Sequence, residues 1–414
     1  MMHLALYLIA HFAKSQLWHA STLLFVFFLT ERCGLGAMQT GWIIGISLLA
    51  NAAADMVLGR TWRGAASVGT VSRLQAVYAP LSAAFFILSC ATALVAPSIR
   101  LGWALVAILG FRLTYPLIDV PQNALVPLLM DTSAGRCRLL ALRNITSQGA
   151  NVCVSATAAP LLILRPDDWT YFAWAIAVGS LSCASAALLT RVRLPAFAPA
   201  MPEDAPAGST PGYRPLLILL ALMVAAGAIF RMLEPYYAAF VAPGQGFLIW
   251  AALGALIAQP VWLIASDRIG TSAALCLTAG IVIVAAILLL TPLRTGSLGA
   301  PLIALGYGAG TGALWLALWS AVVVNANRRT AMAHVGGVTG ISKASQGIAA
   351  ILIGHVLQPD GNRQTLSDPL SPESLSMVLS LLVIAACCLS LAILSLAFGP
   401  TRKMSKPWSF TISR

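Results

Sequence analysis

Long apolar runs alternate with short polar breaks along nearly the whole chain. A helix needs roughly 20 mostly apolar residues to cross the hydrocarbon core of a bilayer. Runs of about this length lie near residues 4–30, 38–58, 74–96, 101–128, 142–164, 169–190, 215–240, 245–265, 273–293, 299–324, 336–357 and 373–398. The pattern predicts an all-α integral membrane protein with about twelve transmembrane helices.

A polar segment rich in proline divides these runs into two sets. It covers residues 191–214 and reads RVRLPAFAPAMPEDAPAGSTPGYR, with the acids Glu203 and Asp204 at its centre. This composition is typical of a flexible linker rather than of a membrane span. We therefore expect an N-terminal six-helix bundle over 1–190, a cytoplasmic linker over 191–214, a C-terminal six-helix bundle over 215–398 and a basic tail over 399–414.

The composition supports a lipid environment. Hydrophobic residues make up 59% of the 414 residues and charged residues only 9%, whereas soluble domains carry roughly 25% charged residues. The net charge of +12 would favour nucleic-acid binding only if the charges clustered on a soluble face. They lie instead in short loops between apolar runs. We expect a lipid bilayer and a small-molecule substrate as partners, no nucleic acid, and a monomer.

Lysine and arginine set the expected orientation, because short cytoplasmic loops retain positive charge. The loops on the side of the linker, together with the linker and the tail, hold Arg60, Arg63, Arg73, Arg136, Arg138, Arg143, Arg191, Arg193, Arg214, Arg268, Arg328, Arg329, Arg402, Lys403, Lys406 and Arg414. The opposite loops hold only Arg32, Arg100, Arg165, Arg294 and Arg363. This asymmetry predicts a multi-pass protein of the cell (inner) membrane with both termini in the cytoplasm.

The two halves repeat one loop signature. The loop after the second run begins Gly59-Arg60, with Asp55 one turn earlier, and the loop after the eighth run covers 266–270 and reads SDRIG. Paired six-helix halves with a short basic, glycine-containing turn after the second helix of each suggest the major facilitator architecture.

Four segments resemble one family within that architecture. They are YLIAHFAKSQLWHASTLLFVFFLTERCGL at 7–35, NAAADMVLG at 51–59, DVPQNALVP at 119–127 and GISKASQG at 340–347. In this order they resemble the first, second, fourth and eleventh helices of the glycoside–pentoside–hexuronide:cation symporters. The resemblance implies a symporter in which Lys14, Asp119 and Arg143 contact the sugar, Asp55 holds the coupling cation and Lys343 pairs with the cation-site carboxylates.

Two positions depart from that family's pattern. Ser15 stands where the family has an acid that binds the sugar, and Asn51 stands where it has the first of two cation-binding carboxylates. A lone carboxylate at Asp55, facing Lys343, suits a proton better than Na⁺, which needs several oxygen ligands and net negative charge. We therefore expect coupling to protons through Asp55, Asn51 and Lys343, with a purely structural Asp55–Lys343 bridge as the alternative.

Charged residues inside the predicted spans are informative whatever the family. Each costs at least roughly 2.5–3.5 kcal/mol near the bilayer centre, so it faces a cavity or a partner. Asp119 has no opposite charge one turn away, which favours a functional role. Arg231 and Glu234 are three residues apart, so they are able to pair on one helix face, and a structural pair is the preferred interpretation. The full set is Lys14, Asp55, Arg112, Asp119, Arg231, Glu234 and Lys343.

Uncharged polar and aromatic side chains extend the candidate site. His11, Gln16 and His19 share the first span with Lys14, and we expect them to line an N-terminal cavity together with Gln122, Asn123, Gln148 and Asn151. Trp315 and Trp319 lie four residues apart on one helix face and are candidates to stack on a sugar, with packing or an interfacial belt as the alternative.

The glycine run at 306–312, GYGAGTG, lies inside an apolar span without a preceding strand. It therefore predicts close helix packing rather than a phosphate-binding loop.

Among function classes, a secondary transporter working by alternating access is favoured. The sequence has no GxxxxGK[ST] motif, no metal-ligand spacing among its cysteines and histidines, and no nucleophile–base set in its spans, so we expect no enzyme activity, no catalytic residue, no cofactor and no bound metal. Uptake of a sugar, glycoside or other small polar solute leads. Alternatives are a proton-driven exporter, a permease for a siderophore or cell-wall fragment and, more remotely, an intramembrane enzyme, a scramblase or a non-transporting sensor.

Overall fold

A computed structural model describes residues 2–62, 68–129, 133–164, 167–191, 213–325, 331–358 and 372–398. Within these ranges the chain forms twelve long helices and no strand. In chain order they are α1 Met2–Leu23, α2 Ala37–Thr61, α3 Val68–Cys90, α4 Arg100–Thr114, α5 Ser133–Ile163, α6 Asp168–Leu189, α7 Tyr213–Tyr236, α8 Phe247–Ile269, α9 Thr271–Leu289, α10 Gly299–Asn325, α11 Ala331–Val356 and α12 Pro372–Phe398. The predicted all-α architecture is confirmed, and each helix overlaps one predicted span.

Eight of these helices are long and apolar enough to cross a membrane by length and composition: α2, α3, α4, α6, α7, α8, α9 and α12. The other four differ for physical reasons. Helices α1, α5 and α11 carry Lys14, Arg143 and Lys343 inside their length, which lowers their mean hydropathy. In α10 the side chains of residues 314–325 lie outside the described part. Helices α2, α4 and α7 also carry buried charges, among them Asp55, Asp119 and Glu234, but their other residues are apolar enough to offset them.

The first helix of each half ends in the same irregular way. Helix α1 continues through Phe25–Phe27 into a π-helical turn at Phe28–Arg32, and α7 continues into a π-helical turn at Tyr237–Val241, directly after Pro235. Turns of this kind are rare and occur often at functional sites. We call the end of the bundle where α1 begins and α2 ends the linker face, and the opposite end, where both π-helical turns lie, the distal face.

Helix α4 is interrupted between the buried charges Arg112 and Asp119. It continues after Tyr115 as Pro116–Ala124, and then as the short turn Val126–Leu129. Pro116 and Pro121 remove backbone donors from this stretch, which explains the break. The second segment carries Asp119 and Asn123 into the interior of the bundle.

Helices α2 and α11 pack against each other along their length, across the boundary between the halves. Glycine allows this contact at both ends. A Cβ atom on Gly41 would lie 2.8 Å from the Cα of Gly354 near the distal face, and one on Gly336 would lie 2.5 Å from the backbone oxygen of Asp55 nearer the linker face. Backbones can approach this closely only where side chains are absent.

Helices α8 and α10 form a second close pair within the C-terminal half. A Cβ atom on Gly312 would lie 2.8 Å from the carbonyl oxygen of Ala255, and a Cβ atom on Gly308 would overlap the carbonyl oxygen of Ala251. The glycine run at 306–312 therefore serves close helix packing, as its position in an apolar span predicts.

The predicted segment boundaries are described only in part. Of the linker 191–214, residues 192–212 lie outside the described residues, and so does the whole tail 399–414. The linker and tail boundaries stay predictions.

Candidate functional site

A central cavity of about 230 Å³ lies between the two halves. Helices α1, α4 and α5 line it from one side, and α7, α8, α10 and α11 line it from the other. Lys14 lies midway along α1 with its π-helical extension, and Lys343 lies at the middle of α11. Both line the cavity, which is therefore placed near the centre of the bundle.

Four buried charges form a chain across the boundary between the halves. Lys14 Nζ donates to Asp119 Oδ1 at 2.7 Å, and Lys343 Nζ lies 3.2 Å from Asp119 Oδ2 and 2.7 Å from Asp55 Oδ2. We call Lys14, Asp119, Lys343 and Asp55 the charged network. It contains two cations and two carboxylates, so its formal charges cancel. Lys343 comes from the C-terminal half, whereas the other three come from the N-terminal half.

Neighbouring side chains fix the geometry of Asp119. Asn123, one turn along the same helical segment, donates its Nδ2 hydrogen to Asp119 Oδ1 at 2.9 Å. Trp18 and Tyr115 stack with their ring centroids 5.4 Å apart, and Lys343 Nζ lies 5.1 Å and 5.4 Å from those two rings. A cation this close to aromatic faces gains electrostatic stabilisation when it is desolvated.

Of the three predicted coupling residues, Lys343 lines the cavity, whereas Asn51 and Asp55 lie beside it. Asn51 and Asp55 are one turn apart on α2, and both are fully buried. Asp55 reaches the cavity through its ion pair with Lys343. The side-chain amide of Asn51 has no hydrogen-bond partner within the described part of the protein. A buried amide without a hydrogen-bond partner is energetically costly.

The other predicted substrate residues are placed in different ways. Arg143 on α5 is buried and lines the cavity together with Lys14, Asp119 and Asn123. Trp315 and Trp319 lie on α10, but their side chains are outside the described residues.

Arg112 is a buried cation that the cavity does not use. Its side chain is fully buried, its Nη2 donates to the backbone oxygen of Ser21 at 3.3 Å, and its guanidinium carbon lies 5.0 Å from the ring of Trp18. Arg112 and Asp119 both lie in the fourth predicted span, but only Asp119 lines the cavity. The break in α4 between the two residues explains this difference.

The expected close pair between Arg231 and Glu234 on α7 is not formed. Arg231 Nη2 donates instead to Asn151 Oδ1 on α5 at 2.7 Å and lies 3.3 Å from His19 Nδ1 on α1. Arg231 therefore bonds across the cavity to the N-terminal half. Glu234, which is buried and lines the cavity, keeps Arg231 only as a more distant charge.

The distal face is closed between α1 and α7. Thr30 shares a hydrogen bond of 2.5 Å with the hydroxyl of Tyr236. Phe27 packs edge-on against Tyr236, with centroids 5.2 Å apart, and against Phe240 at 6.4 Å. These contacts join the ends of α1 and α7 at their π-helical turns. They close the gap between these two helices on the distal side of the cavity.

Sequence reasoning missed Trp18 and Tyr115 as parts of the site. Both line the cavity, but aromatic residues in membrane helices are common, so their type alone carries no signal. Trp18 lies four residues after Lys14, which places both side chains on one face of α1. That spacing is the signal that identifies it.

Comparison with known proteins assigns the chain to a family. The chain matches the protein family described as MFS/sugar transport protein over residues 6–402. No curated protein matches the sequence closely enough to count as a relative.

Solved structures share the fold at low identity. The xylose transporter XylE from E. coli, in a partially occluded inward-open conformation, is similar with a TM-score of 0.69 over 97% of this chain and 98% of that one, at 12% identity. The major facilitator superfamily transporter FucP, in the outward conformation, gives 0.59 over 96% and 99% at 14% identity. The nucleoside transporter NupG gives 0.58 over 96% and 100% at 16% identity.

At these identities the structural likeness establishes the fold alone, whereas the family match covers nearly the entire sequence. The chain is a multi-pass membrane protein with the major facilitator fold, and it belongs to the MFS/sugar transport protein family.

Proposed function

We propose that this protein is a secondary active transporter that carries a small polar solute, a sugar or glycoside, by alternating access. The observation that carries the proposal is the central cavity, lined by charged side chains from both halves. Transporters of this architecture hold their substrate near the bilayer midplane between two repeats that rock about the site. A cavity with this many charges and hydrogen-bonding groups favours a polar solute over an apolar one.

Lys14, Asp119, Asn123 and Arg143 are the proposed solute ligands of the N-terminal half. Asp119 supports this role because its two oxygens already meet two lysines and an amide in the cavity wall. A solute that competes for these donors changes how the two halves are held together. Trp315 and Trp319 remain proposed stacking partners on α10.

We propose that Asp55 carries the coupling proton, with Asn51 and Lys343 as its companions. Lys343 contacts both Asp55 and Asp119, so it is shared between the proposed ion position and the proposed solute position. Protonation of Asp55 would remove one of the two ion pairs of Lys343. This shared lysine gives a physical route by which ion binding alters the solute site.

The charge asymmetry of the loops supports placement in the inner membrane with the linker face in the cytoplasm. Cysteine labelling tests this. Leu298 before α10 on the distal face and Thr61 at the end of α2 on the linker face are both exposed. In an otherwise cysteine-free protein, a membrane-impermeant thiol reagent added to intact cells should label Leu298→Cys but not Thr61→Cys. The reverse pattern would invert the assigned orientation.

A transport assay in proteoliposomes tests the proposed function. Vesicles preloaded with unlabelled D-xylose, D-galactose or methyl β-D-galactopyranoside should take up the same labelled sugar by exchange, and protein-free vesicles should not. If none of these neutral sugars exchanges while the lipophilic cation ethidium is moved, the protein is an exporter of amphipathic compounds instead.

A further inference from the structure

Helix α7 carries a second pair of charges that the charged network does not use. Glu234 is 4% exposed and lines the central cavity. No side chain or backbone group within the described residues donates a hydrogen bond to its carboxylate. A buried carboxylate without donors is costly, because the hydrogen bonds it made with water are lost and not replaced. The position therefore indicates a group that is satisfied by something entering the cavity.

Arg231 balances the formal charge of Glu234 at this part of the cavity wall. It lies one turn before Glu234, and its Nη2 contacts Asn151 and His19 of the opposite half. Within the described part of the chain, these are its hydrogen-bond partners. The guanidinium and the carboxylate cancel in formal charge, although no short ion pair joins them. A neutral solute with hydrogen-bond donors fits here better than a cation, because a cation would leave the arginine without its counter-charge.

Two carboxylates among the described residues line the cavity, and they differ in the number of hydrogen bonds that they accept. Asp119 already accepts hydrogen bonds from Lys14, Lys343 and Asn123. Glu234 faces the same cavity from α7, and no donor among the described residues bonds to its carboxylate. Glu234, on the first helix of the C-terminal half, is thus the carboxylate to which the hydroxyl groups of a solute can donate without displacing a described donor.

An aromatic contact packs the part of α7 that carries Glu234 against α10. Tyr307 on α10 is 4% exposed, lines the cavity and stacks on Phe230 of α7 with ring centroids 3.6 Å apart. Phe230 directly precedes Arg231, so this contact fixes the turn of α7 that carries both charges against α10.

We propose that Glu234 and Arg231 form a second solute subsite, on the C-terminal half, that takes hydroxyl groups of a neutral polyhydroxylated solute. This inference rests on the proposed function. The two oxygens of Glu234 accept from neighbouring hydroxyl groups, and the Nε and Nη1 groups of Arg231 donate to a third oxygen. A bound solute then bridges the subsite on α7 and the ligands on α1 and α4, which joins the two halves through the solute.

Ligand-and-protein double-mutant cycles test the subsite. Affinities of the purified protein are measured for D-galactose and its monodeoxy analogues, by equilibrium binding in detergent. For the wild type, removal of one particular hydroxyl should weaken binding about tenfold or more, as expected when a charged acceptor loses its donor. In Glu234→Gln the parent sugar should bind about tenfold more weakly, and the penalty for that same deoxy analogue should largely disappear.

A matched carboxylate-to-amide change provides the control. Asp167 lies outside the cavity, where it caps α6 by accepting from the backbone nitrogen of Trp169 at 3.0 Å. Asparagine caps helices as well as aspartate does, so Asp167→Asn should bind every sugar with the wild-type affinity. Thermal unfolding of all three proteins reports whether a loss of binding reflects a loss of folding.

The outcomes separate the subsite from the proposed function. If sugars bind but Glu234→Gln leaves every affinity and every deoxy penalty unchanged, the subsite is wrong and the proposed function stands. If Glu234→Gln weakens only D-galactosamine, which carries an ammonium group, the subsite binds cations and not hydroxyl groups. If no polyhydroxylated solute binds or is transported by the wild type, the proposed function fails and the subsite fails with it.

Discussion

Helices α1 and α7 are the first helices of their halves, and they are alike in shape but not in how their charges are paired. Both end in a π-helical turn, and they meet at the distal face through Thr30 and Tyr236. On α1, Lys14 contacts the carboxylate of Asp119 at 2.7 Å. On α7, Arg231 reaches an amide and an imidazole of the other half, and no described group donates to the carboxylate of Glu234.

The difference separates two tasks within one cavity. On the α1 side, every charge of the network has an opposite charge within 3.2 Å. Removal of Asp119 would leave Lys14 without its partner in the network. On the α7 side the charges are incompletely satisfied, so changes there should affect what enters the cavity more than the stability of the protein. Substitutions on the two sides should therefore differ in both kind and size of effect.

The largest effect is expected for Asp119→Asn. Both Lys14 and Lys343 would lose a carboxylate, and breaking a buried ion pair from one side costs about 3–5 kcal/mol. The variant should reach the membrane, unfold at a lower temperature than the wild type, and lose solute transport entirely. Added solute should no longer raise its unfolding temperature. Transport at the wild-type rate would show that Asp119 is not a solute ligand.

A second substitution separates charge balance from function in that variant. Lys14→Met in the Asp119→Asn background removes the lysine that lost its nearest partner, so the thermal stability should recover in part. Transport should stay absent, because a proposed solute ligand is still missing. Recovery of both properties would reduce Asp119 to a structural role.

A smaller and more selective effect is expected for Asp55→Asn. Lys343 keeps Asp119 at 3.2 Å in this variant, so the network retains one of its cross-half ion pairs. Exchange of labelled for unlabelled solute should continue, whereas accumulation against a gradient should be lost, because the proposed proton carrier is gone. Equal loss of exchange and accumulation would support the structural-bridge interpretation.

The packing of α2 on α11 should respond next. Gly336→Ala places a Cβ atom 2.5 Å from the backbone oxygen of Asp55, and overpacking of this kind costs about 1–3 kcal/mol. Thermal unfolding in detergent should show the loss. A Cβ atom on Gly280 of α9 would meet no described atom within 4 Å, so Gly280→Ala should be neutral or slightly stabilising, and equal destabilisation by both would contradict the close contact.

The smallest effect is expected for Asn151→Ala, which removes from α5 the hydrogen-bond acceptor of Arg231 on α7. Arg231 would lose its 2.7 Å acceptor but keep His19, so the stability should fall by about 1.5 kcal/mol, the lower end of the range for a hydrogen bond to a charged group. Thermal unfolding compared with Asp119→Asn tests the contrast between the two sides. A loss as large as that of Asp119→Asn would mean that Arg231 is held as tightly as Lys14.

The fold could be predicted from apolar run lengths because lipid imposes one solution, helices long enough to span the bilayer, on every such run. The helices with buried charge were predicted as well, because their flanking apolar residues outweigh one lysine, even where a strict hydropathy test does not pass them. The π-helical turns could not be predicted. Only Pro235 marks one of them, and Phe28–Arg32 contains no proline.

Members of the candidate site could be predicted where a charge stands in an apolar segment. Their pairing partners could not, because tertiary contacts determine them. Lys14, Asp119 and Lys343 stand out in apolar segments, but their sequence positions do not state that one lysine touches two acids. Spacing suggested that Arg231 pairs with Glu234. Tertiary contacts override it, because Asn151 on α5 offers a closer acceptor across the cavity.

Solute accumulation in proteoliposomes under separately imposed gradients tests the central claim, proton-coupled transport, most directly. With a sugar identified by exchange, an inward pH gradient should drive accumulation of labelled sugar well above the equilibrium level, and a proton ionophore should abolish it. An inward sodium gradient at equal pH should leave the sugar at its equilibrium level. Strong accumulation driven by sodium, with no response to the pH gradient, would contradict the account and would make Asn51 and Asp55 a sodium site.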